Sequence, residues 1–174
     1  MATQADDDQS PAPVFLVGFM GAGKTTVGQA LALALRRRFI DLDRLVEANE
    51  AKTVEQIFSA SGEAEFRRLE RAAIESCRGT TGVIVALGGG AYVAEENRRV
   101  LREIGVTVWL DCPLEVCLER IGGDVARPLL RADEDMRALL ERRRPAYALA
   151  DVTVQAGRGS PDEIAQEICR ALGL

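Results

Sequence analysis

VFLVGFMGAGKTT occupies residues 14–26, and the rest of the chain takes its place from this stretch. Val14 to Val17 form an apolar run the length of a short buried strand. Gly18 to Gly23 make a glycine-rich turn, and Lys24, Thr25 and Thr26 lead into a helix-like segment. The pattern is G-x-x-x-x-G-K-[ST] after a strand and before a helix, the setting in which it cradles phosphate. Successive backbone N–H groups in such a loop point inward and form a nest for anion oxygens. The following helix adds its unpaired N–H groups and the positive end of its dipole. Gly21, Ala22, Gly23, Lys24, Thr25 and Thr26 then hold a nucleoside triphosphate. Lys24 reaches the β- and γ-phosphates, and the Thr25 hydroxyl ligates Mg²⁺.

Beyond the loop, Val27, Leu31, Ala34 and Leu35 fall at helical spacing. Phe39-Ile40 reads as a second strand ending in Asp41-Leu42-Asp43, with helix signals resuming over Arg44 to Asn49. Thr53 to Gln56 has the form of a capping box for a helix that Ser61-Gly62 breaks. Glu63 to Cys77 is helical, with Phe66, Leu69, Ala73 and Ile74 as its buried stripe. Val83 to Leu87 is a continuous apolar run, as in a strand covered on both faces, and stops at Gly88-Gly89-Gly90. Glu95 to Ile104 is a helix closed by Gly105, and Val106 to Leu110 is the fourth strand. Pro113 suits the first turn of a helix running to Ile121. Asp133 to Arg144 is helical up to Pro145, and Val152 to Val154 is the last strand. Ser160, Pro161 and Glu163 cap the final helix, which ends at Leu172. Five strands separated by helices predict a parallel α/β sheet with ligands beyond the carboxyl ends of its strands.

At 174 residues the chain is one domain, 13–174, behind a polar, acidic and disordered leader, 1–12. That leader lacks the apolar or basic amphipathic stretch of a targeting peptide. A net charge of −5 gives no basic bias for nucleic acid or membrane. No apolar run is long enough to span a bilayer. There is no histidine, so histidine catalysis and histidine metal ligation are excluded. Only two of the 22 basic residues are lysines, Lys24 and Lys52, which makes a lysine inside the loop motif informative and a single arginine much less so. Cys77, Cys112, Cys117 and Cys169 form no C-x-x-C pair and read as free thiols of a reducing cytoplasm.

Three features fall just after apolar strands: the loop, Asp41 with Asp43, and Gly88 to Gly90. Two apart, Asp41 and Asp43 share a face of an extended chain. Beside a bound triphosphate one could hold Mg²⁺ through water while the other orients a nucleophile. Val106 to Asp111 also has the look of a strand ending in a metal-binding acid. Asp41 is preferred because strand two ordinarily neighbours the loop, and Asp111 is read as a helix cap.

On these residues the sequence resembles the shikimate kinases from about Val14 to Leu172. The matching stretches are GFMGAGKTTVG, FIDLD, IFSASGEAEFRRLE, ALGGGAYV, Arg127 to Leu130, and RRRPAYALAD. The resemblance implies a three-layer α/β/α P-loop NTPase of the nucleoside-monophosphate-kinase-like kind. It further implies transfer of the ATP γ-phosphate to the 3-hydroxyl of shikimate, in chorismate and aromatic amino-acid biosynthesis, by a cytoplasmic monomer that uses Mg²⁺. Lys24, Asp43 and Arg127 would be catalytic, with Asp43 as base for the 3-hydroxyl. Thr25 would bind Mg²⁺ directly and Asp41 through water. Arg67 and Arg143 would clamp the shikimate carboxylate, Gly88, Gly89 and Gly90 would meet the substrate, and Phe58 and Phe66 would line its pocket. Arg127 would sit on a lid over about 122–132 and reach the phosphates, and Arg120 and Arg158 would border the adenine.

Arg142, Arg143 and Arg144 are consecutive, so the clamp could fall on a neighbour; the offset to Pro145 selects Arg143. A kinase of the same fold acting on gluconate or a nucleotide, and a non-catalytic nucleotide switch, are the alternative readings. The chain has no N-K-x-D guanine-recognition motif.

Overall fold

The computed structural model describes residues 11–122 and 133–174. Five strands, β1 (Val14–Val17), β2 (Arg38–Asp41), β3 (Val83–Ala86), β4 (Val106–Asp111) and β5 (Val152–Gln155), form one sheet. Its order is β2-β3-β1-β4-β5, and every pairing is parallel. β1 and β3 are buried at every position, as their unbroken apolar runs require, while the edge strands β2 and β5 alternate or lie open. Helices α1 (Lys24–Leu35), α2 (Leu42–Glu50), α3 (Val54–Glu75), α4 (Glu95–Ile104), α5 (Leu114–Ile121), α6 (Asp133–Tyr147) and α7 (Pro161–Leu172) complete the three layers. α1 packs on α7 and lies along β3 and β2; α3 packs on α2 and α4, and α4 on β4.

Two capping signals and one helix break act where the sequence placed them. Thr53 and Ser160 both close full capping boxes, on Gln56 and Glu163. Gly62, at φ 81° and ψ 176°, breaks the helical path inside α3. The four cysteines are unpaired. Within the stretch read as leader, the Pro11 carbonyl accepts the Gly82 N–H at 2.7 Å; just past it, the Pro13 carbonyl accepts that of Val106 at 3.0 Å.

Four expectations are corrected. β2 pairs with β3 and not with β1, so strand two is not the loop's neighbour in the sheet. Asp41 and Asp43 do not share an extended segment: Asp41 is the N-cap of α2 and Asp43 stands in its first turn. The Asp41 side chain accepts the N–H groups of Asp43 and Arg44, so helix capping overrides strand continuation there. Asp111 caps no helix; Pro113 is the N-cap of α5, and the Asp111 carboxylate instead binds Arg144 at 2.6 Å and Gln155 at 3.3 Å. Pro145 does not stop α6, which continues to Tyr147. Proline removes one N–H and crowds the preceding turn. At this helix end, tertiary anchors outweigh that cost. Tyr147 is fully buried, and its ring lies 6.1 Å from that of Trp109. Just beyond, Asp151 accepts both the N–H and the hydroxyl of Thr107, at 2.8 and 2.7 Å.

Candidate active site

The glycine loop follows β1 at the carboxyl edge of the sheet. Gly21 (φ 76°) and Gly23 (φ 93°) adopt the left-handed conformation that tightens the turn, and Gly23 is the N-cap of α1. A Cβ on Gly21 would lie 2.5 Å from the Cys117 carbonyl oxygen, so the loop rests directly on α5. Lys24 Nζ donates to the carbonyls of Gly18 and Phe19 at 2.9 and 2.8 Å, which curls the ammonium over the loop. Thr25 and Thr26 are exposed at the first turn of α1. The Thr25 hydroxyl donates to Asp41 Oδ2 at 2.8 Å. Thus Asp41 reaches the loop although β3 separates its strand from β1. Asp111, the competing acid, is held by Arg144 and Gln155.

A hard divalent cation suits this pair of oxygens. Among the described residues no three Asp, Glu, His or Cys side chains form a metal cluster. Mg²⁺ rarely needs such a cage; it binds through one or two protein oxygens and completes its shell with water and phosphate.

The second half of the site is built on the turn after β3. Gly88, Gly89 and Gly90 are close-approach positions. A Cβ on Gly88 would lie 2.7 Å from Asp43 Oδ1 and 3.0 Å from Glu70 Oε1; one on Gly90 would lie 2.6 Å from Arg67 Nη2. The same construction on Gly89 comes within 3.4 Å of Arg143 Nη1. Asp43 from α2, Arg67 from α3 and Arg143 from α6 therefore converge on one glycine turn. Arg143 also lies over the Phe19 ring at 5.9 Å, which joins it to the loop. The triplet is divided by direction: Arg142 is exposed, Arg143 faces the turn, and Arg144 stacks over Trp109 at 5.5 Å and binds Asp111.

Phe58 and Phe66, on either side of the Gly62 break, stack with centroids 4.8 Å apart. Arg67 lies 5.4 Å over the Phe66 ring. Its Nη1 donates to both oxygens of Glu70, at 3.2 and 2.9 Å, and its Nε and Nη2 donate to Glu63 Oε1 at 3.3 and 3.2 Å. Burial opposes the charge on Arg67, but Glu70 and Glu63 more than offset it and leave its pKa above the ordinary value. Glu70 is only 1% exposed. Burial holds its carboxyl above the usual range, the Asp43 carboxylate pushes the same way, and Arg67 only partly counters them. The sequence reading had not singled out Glu70. Its signal was present: Glu70 is an acid on the apolar stripe of α3, four residues after Phe66 and four before Ile74.

Arg120 bridges the loop to the end of β5. It donates to the Gly21, Ala22 and Ala156 carbonyls at 3.5, 3.3 and 3.2 Å and lies 3.6 Å from Cys112 Sγ. A hydrogen bond from Cys117 and the Arg120 charge bring the Cys112 thiol down to about 7 against the cost of burial. Arg158 is exposed on the loop after β5, close in sequence to Ala156. Arg127 and residues 123–132 of the expected lid lie outside the described residues.

A family model described as shikimate kinase matches residues 20–173. A shikimate kinase of Persephonella marina is 43% identical over 156 residues, spanning 89% of this chain and 95% of the relative. The solved structure of shikimate kinase from Acinetobacter baumannii in complex with shikimate superposes with a TM-score of 0.89 at 36% identity, covering 94% of this chain and 93% of that one. A gluconokinase from Sinorhizobium meliloti shares the fold alone, at TM-score 0.61 and 21% identity over 94% of this chain and 93% of its own.

Proposed function

The chain belongs to the shikimate kinase family, and we propose that its two half-sites divide the work of moving the ATP γ-phosphate to the 3-hydroxyl of shikimate. The reaction is an ATP-dependent phosphorylation of shikimate in aromatic amino-acid biosynthesis. The observation that carries the assignment of residues is the convergence of Asp43, Arg67 and Arg143 on Gly88–Gly90 beside a phosphate-binding loop.

The loop from Gly21 to Thr26 and the first turn of α1 bind the triphosphate through backbone N–H groups. Lys24 neutralises charge on the transferring phosphoryl group. Thr25 and Asp41 would hold Mg²⁺, which supplies further neutralisation when bound. Arg120 and Arg158 border the nucleotide. On the acceptor side, Arg67 and Arg143 bind the substrate carboxylate, for which a guanidinium fork is suited as an ammonium is not. Gly88 to Gly90 bring backbone within reach of the ring, and Phe58 and Phe66 wall the pocket. Asp43 takes the proton of the attacking hydroxyl. Phosphoryl transfer asks the protein mainly for positioning and charge stabilisation, which this arrangement provides.

The unpaired cysteines support a reducing, cytoplasmic setting. A net charge of −5 supports small-molecule partners rather than nucleic acid or an anionic lipid surface.

A coupled ADP-release assay offering shikimate, gluconate and nucleoside monophosphates in turn tests the reading. Turnover with shikimate alone is expected; none with shikimate would overturn it. The arginine triplet gives a sharper check. Arg143→Lys is expected to raise the KM for shikimate by about 10- to 100-fold, the loss of charge-assisted hydrogen bonds to one carboxylate. Arg142→Lys is expected to change it by less than about twofold, as exposed substitutions do. Equal effects would remove Arg143 from the clamp.

A further inference from the structure

We propose that Tyr147 is a positioning residue that fixes the Gly89–Gly90 peptide, and with it the direction of the Gly90 N–H on the acceptor side of the site. The inference rests on the shikimate kinase reading and deepens its acceptor half.

The glycine turn has three carbonyls to hold. Two are held by the turn itself: Gly88 O accepts the Ala91 N–H at 3.0 Å and Gly90 O accepts the Val93 N–H at 3.1 Å. The third, Gly89 O, accepts the Tyr147 hydroxyl at 2.5 Å, across 58 residues of sequence. A peptide unit is planar and trans, so its C=O and N–H point in opposite directions. Pinning Gly89 O therefore aims the Gly90 N–H away from Tyr147. Glycine peptides rotate with little steric restraint, so such a turn does not hold its own amide direction. A buried hydroxyl supplies what the local sequence lacks.

Tyr147 also joins this peptide to the clamp. Arg143 stands one helical turn before it on α6, and the two side chains interact. Arg143 in turn lies against Gly89. The Tyr147 ring is fully buried and packed on Trp109, so the hydroxyl has a fixed origin. Burial, partly offset by Arg143, pushes its pKa up to about 12, so it remains a donor throughout the working range of pH. This role accounts for the continuation of α6 past Pro145. A helix ending at Arg144 would place Arg143 but leave the glycine turn without its third anchor.

Tyr147→Phe keeps the ring and removes only the hydroxyl. The KM for shikimate is expected to rise about fivefold, the effect of one neutral hydrogen bond lost. The KM for ATP and kcat should stay within about twofold, because the phosphate loop keeps all its contacts. An unchanged KM for shikimate overturns the proposal. So does a uniform loss across kcat and both KM values, since that is the mark of a loosened fold. A second measurement needs no variant: in a ¹H–¹⁵N spectrum of the intact protein, shikimate without nucleotide should shift the Gly90 amide resonance. Binding that leaves this resonance in place overturns the proposal. Wild-type protein that neither binds nor turns over shikimate fails the underlying reading instead.

Discussion

Asp43→Asn is expected to lower kcat by about 10²- to 10⁴-fold, the range in which a positioned general base acts, while nucleotide affinity stays close to that of the parent protein. Asn has the shape of Asp and keeps one acceptor oxygen, but it cannot take a proton. The backbone should not move, because α2 is capped by Asp41, which binds the Asp43 and Arg44 N–H groups regardless of the side chain at 43. The surroundings support this role. Asp43 faces Gly88 and the buried Glu70, so two acids share one corner of the site with Arg67 beside them. Glu70 lies above the usual carboxylate range, partly because of the Asp43 charge, which suits a pair in which one member holds a proton more readily than the other. Steady-state turnover together with nucleotide titration checks the prediction. Turnover near the parent value would remove Asp43 as base.

Lys24→Met is expected to lower kcat by about 10³-fold, the scale seen when a preorganised charge on a transferring group is lost. Lys24 Nζ sits on the Gly18 and Phe19 carbonyls at 2.9 and 2.8 Å, so its charge is already in place over the loop before substrate arrives. Methionine matches the length of the stem and removes the charge. Because the loop amides remain, binding should weaken far less than turnover falls. Single-turnover rates at saturating ATP separate the two effects. A loss confined to the KM for ATP would show that Lys24 binds nucleotide without assisting transfer.

These predictions differ in how directly the sequence reveals them. The phosphate half is contiguous: an apolar run, glycines at fixed intervals and a lysine before a hydroxyl specify the loop without reference to any distant residue. The parallel sheet was equally legible, because apolar runs alternating with amphipathic segments leave few arrangements. The acceptor half is assembled from residues far apart in the chain, and each of its members has an ordinary reading when taken alone. Arg67 and Arg143 stand among 22 basic residues; composition and spacing do not separate them from the rest, the family resemblance does, and the fold brings both to Gly88–Gly90.

Several errors share this origin. Asp111 has the look of a strand-end acid or a cap until Arg144, 33 residues away, is seen to bind it. Pro145 has the look of a stop until Tyr147 is found anchored on Gly89, 58 residues away. Asp41 meets Thr25 although β3 intervenes between their strands, so adjacency in the sheet is not what brings the two together. Local rules set the ends of elements, and long-range contacts decide which rule prevails.

The acceptor half is the central claim, and one measurement reaches it directly: a crystal structure with shikimate and ADP bound together. The account predicts the shikimate carboxylate on Arg67 and Arg143, with Asp43 within hydrogen-bond distance, about 2.5–3.0 Å, of the hydroxyl that faces the phosphate loop. Shikimate bound with its carboxylate away from both arginines, or with Asp43 turned from its ring, would contradict it.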